Sequence, residues 1–201
     1  MPRRVDHATR RLEIIRATWR TMAREGVEAT TLRKIAEEAG FANGAIGHYF
    51  HGKDELLAAA YTHVFTRTNE RIAAVTHNLH GMAALRAYCH EILPLDEDRL
   101  LEARIVLPFW QQALTRDGQQ EMYEGHMASW TQELVGLIEQ ARTDGAITSA
   151  QPDADIAGQL LAMLTGWQVL ALLTPASADP AVQVAQLDAY LDGLDPAGRA
   201  G

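Results

Sequence analysis

The fold is decided by the stretch Thr30–Lys53, TTLRKIAEEAGFANGAIGHYFHGK. Its apolar residues recur at helical spacing on both sides of a short break, which predicts two short helices flanking a tight turn. Ala36 is small where the two helices must cross closely, and Gly40 supplies the backbone freedom that the turn requires. This is the pattern of a helix-turn-helix, in which the second helix enters the major groove of DNA.

Helical periodicity continues along nearly the whole chain, and we find no convincing strand alternation. The sequence therefore predicts an all-α protein of about nine helices. The predicted helices cover about residues 8–25, a short segment ending at Gly40, 43–49, 53–76, 82–93, 96–115, 119–143, 154–173 and 180–191. We predict a DNA-binding domain over residues 1–53, a ligand-binding and dimerisation domain over 54–194, and a disordered tail over 195–201.

Cysteine content and the distribution of apolar residues indicate the cellular compartment of the protein. The single cysteine, Cys89, excludes an intramolecular disulfide and suits a reducing cytoplasm. No targeting segment is recognisable at the N-terminus. The longest apolar stretch, near Leu160–Leu173, is interrupted by polar residues and is shorter than the roughly 18 apolar residues of a membrane span. We therefore expect a cytoplasmic protein that does not enter a membrane.

Charge is distributed unevenly along the chain. The net charge is −8, but residues 1–53 hold 10 basic and 6 acidic residues, whereas the remainder holds 8 and 20. A basic N-terminal segment (residues 1–53, the head) followed by an acidic remainder is typical of a protein that binds nucleic acid with one end only.

The stretch Thr30–Lys53 resembles the DNA-binding domain of the tetracycline-repressor (TetR) family of transcriptional regulators. That family has a Thr-rich start, an Ile-Ala pair, Ala-Gly-Val-Ser, then Gly-Thr-Leu-Tyr-x-Tyr-Phe and a Lys that opens the next helix. The matching residues are Thr30, Thr31, Ile35, Ala36, Ala39, Gly40, Gly44, Ile46, Tyr49, Phe50 and Lys53. The resemblance implies a homodimer that represses from a pseudo-palindromic DNA operator and is released when a small-molecule effector binds.

Two residues depart from the family pattern. Ala42 stands where the family usually has Ser, which removes an N-cap for the recognition helix, although Asn43 could replace it after a one-residue shift. Gly47 stands where the family usually has its first Tyr, a phosphate contact. The variant Gly-x-Ile-x-His-Tyr-Phe is similar to the choline-responsive betaine regulators (BetI), as is, more weakly, the chain from Pro108 to Trp167. This subgroup implies a cationic effector.

The candidate DNA contacts follow from side-chain chemistry at the matched positions. Phosphate contacts are predicted for Thr31, Arg33, His48, Tyr49 and Lys53. Base contacts or close backbone approach are predicted for Asn43, Gly44 and Ala45. Arg3, Arg4, Arg10 and Arg11 could form an N-terminal arm. Alternatively, Tyr49 is a packing residue, and Arg10 and Arg11 lie on a solvated helix face.

The C-terminal half is interpreted as a sensor. The helices over 154–173 and 180–191 are apolar enough to form a four-helix dimer interface with a second copy. The predicted ligand-binding residues mix aromatic area with polar groups, and are Trp110, Gln111, Tyr123, His126, Trp130, Met163 and Trp167. They suit a cationic or amphipathic small molecule. Alternatively, the tryptophans are core residues.

Two other classes of function compete with a transcriptional regulator. An enzyme is disfavoured because the sequence contains no Gly-rich phosphate loop, nucleophile elbow or His-Glu-x-x-His. The histidine pairs His48/His51 and His77/His80 lack further ligands, so no metal site and no cofactor are predicted. The second alternative is a ligand-binding or interaction protein with a degenerate helix-turn-helix and no sequence-specific DNA role, which Ala42 and Gly47 keep open.

Overall fold

The computed structural model describes residues 7–26, 29–42 and 44–195, and within these ranges the chain forms helices and no strand. The α-helices are α1 (His7–Glu25), α2 (Leu32–Ala39), α3 (Lys53–Thr76), α4 (Gly81–Ile92), α5 (Glu97–Ala113), α6 (Asp117–Thr143), α7 (Asp153–Leu173) and α8 (Pro180–Asp192). The all-α prediction is confirmed. The short helix expected over 43–49 is a 3-10 turn at Ala45–His48, and the other predicted helices correspond to α1–α8. The predicted tail lies outside the described residues beyond Asp195.

One compact unit comprises Met1–Thr66 and Arg104–Gln120. Within it α1 packs on α2, and α2 begins and ends as its sequence demands. Thr31 caps its N-terminus, and Gly40 ends it in the left-handed conformation at φ 71°. Tyr61 of α3 stacks on Phe109 of α5, with ring centroids 3.9 Å apart. These contacts fix the elements that present the turn at Ala45–His48.

The second unit comprises Arg67–Ala103 and Glu121–Gly201. Fully buried side chains from four helices form its core, among them Leu85, Leu134, Ile138, Leu160, Leu187 and Leu191. Arg142 secures the connection from α6 to α7 by donating to Asp153 and to the carbonyls of Ser149 and Gln151. Three helices (α3, α5 and α6) contribute residues to both units. The predicted functional boundary at residue 53 stays a prediction.

Among the described helices, α7 is the one long and apolar enough to cross a membrane, with a mean hydropathy of 1.6. A core helix of a water-soluble protein can have the same composition. In this unit Ile156, Leu160 and Leu164 are buried, whereas Leu170 and Leu173 are 45% and 70% exposed. The helix therefore has one face in the core and an apolar end that the single chain leaves uncovered.

Candidate functional site

The turn at Ala45–His48 is anchored by two apolar side chains. Ile46 and Phe50 are 2% and 0% exposed, and the Phe50 N–H donates to the Ile46 carbonyl at 2.9 Å. Gly44, immediately before the turn, has φ 90°, a conformation that glycine adopts without strain. With Ile46 and Phe50 turned inward, Gly47 and His48 are left exposed. The segment therefore presents a short, rigid polar edge to solvent.

Arg11 holds this turn against α1. Its guanidinium donates to the Tyr49 carbonyl and lies 4.1 Å from the centre of the Phe50 ring. It also pairs with Glu55 at 3.5 Å. Arg10 pairs with Glu13 at 2.6 Å. The structure thus gives both arginines partners within the chain, whereas Arg3 and Arg4 of the suggested arm lie outside the described residues.

The predicted phosphate-contact residues occupy different environments. Thr31 is exposed, but its hydroxyl accepts the Lys34 N–H at 3.3 Å, so it also caps α2. Arg33 is exposed and lies 3.8 Å from Glu37. Tyr49 is half-buried, with its ring 4.8 Å from that of His7 and 5.9 Å from that of Phe41.

The remaining DNA candidates lie on or beside the turn. His48 and Gly44 are exposed, Ala45 is half-buried, and Lys53 is the half-buried first residue of α3. Asn43 lies outside the described residues. The contact assignments of all eight residues remain predictions.

Several basic residues of the first unit are already paired with carboxylates. Glu38 accepts from Arg20 at 2.7 Å and from Arg24 at 3.0 Å, and these hydrogen bonds hold the pKa of Glu38 below its usual range. Glu25 pairs with Lys34 at 2.5 Å. These pairs tie α1 to α2 and neutralise part of the positive charge that the first unit offers to a phosphate backbone.

The predicted ligand residues are divided between the units. Trp110 is half-buried and Gln111 exposed in the first unit, and the other five belong to the second. Trp130 and Trp167 are each 8% exposed, and the Trp130 indole N–H donates to Asn69 at 2.7 Å.

Burial also shifts the pKa values of Tyr123 and His126, the two titratable residues of the predicted ligand set. It raises the pKa of Tyr123 and lowers that of His126. Both side chains are half-buried, so each keeps part of its surface in water. The binding roles of the predicted ligand residues stay predictions.

The second unit contains a groove of about 470 Å³ that sequence reasoning missed. Residues of α3, α4 and α6 line it, and they are Asn69, Ile72, Ala73, Thr76, Tyr88, Gln132, Glu133, Gly136, Leu137 and Gln140. Trp130 of the predicted ligand set is connected to it through its hydrogen bond to Asn69. The signal in the sequence was the series Gln132, Glu133, Gly136 and Gln140, which places polar groups and a glycine on one helix face.

Comparison with known proteins identifies relatives of both halves. Residues 14–60 match the family described as bacterial regulatory proteins of the tetR family, and residues 81–196 match the C-terminal domain of the BetI-type transcriptional repressors. The chain is 29% identical to the transcriptional regulator PksA of Bacillus subtilis, over 87% of this chain and 84% of that protein. It is 28% identical to BetI 2 of Chromohalobacter salexigens, over 96% and 92%.

Solved structures show the same fold. A transcriptional regulator from Rhodococcus has a TM-score of 0.80 at 26% identity, covering 92% of this chain and 95% of that one. A transcriptional regulator from Saccharomonospora viridis, solved in complex with choline, has a TM-score of 0.84 at 20% identity, covering 92% and 96%. At that identity the second likeness concerns the fold alone.

Proposed function

The chain belongs to the BetI-type branch of the TetR family of bacterial transcriptional regulators, and from this we propose that it represses transcription as a ligand-released homodimer on a pseudo-palindromic operator. The observation that carries the DNA role is the anchored turn at Ala45–His48. Burial of Ile46 and Phe50 fixes the backbone, and Arg11 secures it from α1. A rigid edge can be aligned with base edges in a major groove without a further loss of conformational entropy.

The second copy would cover the apolar ends of α7 and α8. Leu170, Leu173 and Val182 are 45%, 70% and 41% exposed in the single chain. Three large apolar side chains on adjacent helices are typical of a self-complementary interface. Two heads joined in this way could occupy half-sites about one helical turn apart, roughly 34 Å.

An effector in the second unit would change operator affinity through α3. This helix begins at Lys53, three residues after the anchored Phe50, and ends among the groove residues Asn69–Thr76. A ligand that binds one orientation of α3 better than another shifts the equilibrium between the orientations of the DNA-binding heads. The choline bound by the Saccharomonospora relative supports a small organic cation as effector. Such a regulator would act in the cytoplasm, where its operator is, without catalysing a reaction.

Fluorescence anisotropy with DNA from upstream of its own gene tests the proposal. We expect selective binding that weakens steeply as salt rises, because phosphate contacts release counterions. Arg33→Ala should weaken binding to all sequences and reduce the salt slope by about one. The matched control is Arg104→Ala, which removes an exposed arginine of the same unit outside the helix-turn-helix.

The opposite result is equally informative. Weak binding that is equal for operator and unrelated DNA, with no change on Arg33→Ala, would favour a degenerate head. Gly47 is the feature that such a result would implicate, since it offers no side chain where the family usually has Tyr.

A further inference from the structure

The first turn of α3 carries two carboxylates beside the segment that is proposed to contact DNA. Asp54 and Glu55 directly follow Lys53, a predicted phosphate contact. Acidic residues stabilise this end of a helix, because the N–H groups of its first turn leave positive charge there. The same positive charge attracts phosphate, so an unbalanced carboxylate at this place would repel a DNA backbone that approaches Lys53.

Glu55 is balanced by residues of the helix-turn-helix segment and of α1. The backbone N–H of His51 donates to its carboxylate at 2.7 Å, and the Arg11 guanidinium lies 3.5 Å from it. The contacts that hold the turn at Ala45–His48 therefore also neutralise this carboxylate.

Asp54 is balanced instead by residues that come much later in the chain. The Gln112 side-chain amide donates to Oδ1 of Asp54 at 3.1 Å, and the Arg116 guanidinium donates to Oδ2. Gln112 belongs to the end of α5, and Arg116 to the connection between α5 and α6. Each carboxylate oxygen thus has its own donor, and the full positive charge of the two partners is that of Arg116.

The backbone around Arg116 is fixed by hydrogen bonds on both sides. Its carbonyl accepts from the N–H groups of Gln119 and Gln120, each at 3.0 Å, so it forms part of the start of α6. On the other side the Thr115 N–H donates to the Gln112 carbonyl at 3.0 Å. Arg116 therefore reaches the carboxylate from a defined backbone position.

The ion pair between Asp54 and Arg116 is accessible to solvent. The two side chains are 45% and 49% exposed. An exposed ion pair contributes little to the stability of a fold. Its effect on the local electric field is larger, because without Arg116 the carboxylate beside Lys53 would repel any phosphate within the Debye length, about 10 Å at about 0.1 M salt.

We propose that Arg116 masks the Asp54 carboxylate and so allows the start of α3 to approach the phosphates of bound DNA, without contacting DNA itself. Arg116 is then a positioning residue for DNA binding that lies far along the chain from the helix-turn-helix. The proposal rests on the proposed function in so far as that function requires the head to bind DNA.

Fluorescence anisotropy at about 0.1 M salt tests the masking with three variants of the full chain. We expect Arg116→Gln to weaken DNA binding about 3- to 10-fold, because it leaves one negative charge unmasked. Adding Asp54→Asn should restore the affinity to within about twofold of wild type, since the charge that needed masking is gone. Arg104→Gln is the matched control, because it removes the same charge from an exposed position of α5 in the same unit, and it should change the affinity less than about twofold.

Two further readouts separate masking from folding. The thermal midpoints of all variants should stay within about 4 °C of wild type, because an exposed pair contributes little to stability. The loss of affinity in Arg116→Gln should shrink as salt rises, because the Debye length falls to about 3 Å at about 1 M. A folding defect would instead lower the midpoint and would not be rescued by Asp54→Asn.

Unchanged DNA binding by Arg116→Gln would overturn the proposal. A double variant as weak as Arg116→Gln would do so too, since Arg116 would then contact a phosphate itself, and so would an equal loss in Arg104→Gln. The expected order of affinities, measured on operator and unrelated DNA alike in a protein that does not distinguish them, supports the masking and overturns the proposed function. Selective operator binding that no variant changes does the reverse, and a protein that binds no DNA overturns both.

Discussion

Replacing Arg71 with methionine should destabilise the second unit more than any surface substitution. Arg71 of α3 donates two hydrogen bonds to the Glu102 carboxylate of α5, each 2.9 Å long, and a third to Glu91 of α4 at 3.1 Å. The side chain of Glu102 is 6% exposed, and that of Arg71 28%. Burial alone would lower the pKa of Arg71, but the two carboxylates outweigh it and raise that pKa, so the arginine stays charged.

The magnitude follows from what the substitution leaves behind. Arg71→Met strands the buried Glu102 carboxylate without its cation, and breaking such a pair costs about 3–5 kcal/mol of unfolding free energy. Glu91 keeps Arg99 at 3.8 Å and should contribute little to the loss. Replacing both partners of a buried pair by apolar residues is close to neutral. Arg71→Met with Glu102→Leu should therefore recover most of the loss.

Urea unfolding followed by circular dichroism measures these free energies. One fixed protein concentration is used, because the proposed dimerisation would make stability depend on concentration. Arg33→Met is the control, since its partner Glu37 is exposed and the pair is 3.8 Å long. We expect it to change stability by less than about 0.5 kcal/mol. The reasoning is refuted if Arg71→Met costs under about 1 kcal/mol, or if the double variant is as unstable as the single one.

Three further predictions concern the head, the dimer and pH. A Cβ added at Gly47 meets no atom within 4 Å, so Gly47→Tyr fits and adds one neutral phosphate contact. Operator affinity in anisotropy titrations should rise about 2- to 10-fold with an unchanged salt slope. Weaker binding would contradict this. Leu173→Lys, at a 70% exposed position, should convert dimer to monomer in sedimentation, and a persisting dimer would place the interface elsewhere. The backbone N–H of His51 donates to the Glu55 carboxylate at 2.7 Å and lowers the pKa of Glu55 in the folded protein. The carboxylate therefore stabilises the fold at pH values above its unfolded pKa of about 4.3, and this stabilisation is lost as pH falls through the lower folded pKa. In urea unfolding, the stability gap between wild type and Glu55→Gln should accordingly be present at pH 7 and narrow as pH falls below about 4.3. A gap that does not depend on pH would argue against this origin.

Local sequence signals predicted most of the helices because their causes lie within a few residues. The helix expected over 53–76 is α3 with the same bounds, and the one expected over 154–173 begins one residue earlier as α7. The recognition element is shorter than expected. Gly44 starts it at φ 90° and Gly47 lies inside it, so two poor helix formers leave a single 3-10 turn in place of the helix over 43–49.

The contacts by which Arg11 holds that turn could not be predicted from local sequence signals. The run of basic residues near the N-terminus predicts that Arg11 could belong to a DNA-contacting arm. Its partners, the Tyr49 carbonyl and Glu55, are 38 and 44 residues away along the chain. Basic residues near the start of a head can bind phosphate or brace the fold, and only their tertiary neighbours decide between the two.

Two tryptophans of the predicted ligand set show why aromatic content alone does not separate a binding residue from a core residue. Trp130 and Trp167 are 8% exposed, and the polar group of Trp130 is satisfied by Asn69, so burial in the bundle already accounts for much of what these residues do. Tyr88 is more deeply buried than either and looks in the sequence like one more apolar position of α4. What distinguishes it is its place in the lining of the groove beside Glu133 of α6, whose carboxylate, after burial, raises the pKa of Tyr88. Because that property depends on the packing of three helices and not on residue type, it becomes visible only once the helices are in place.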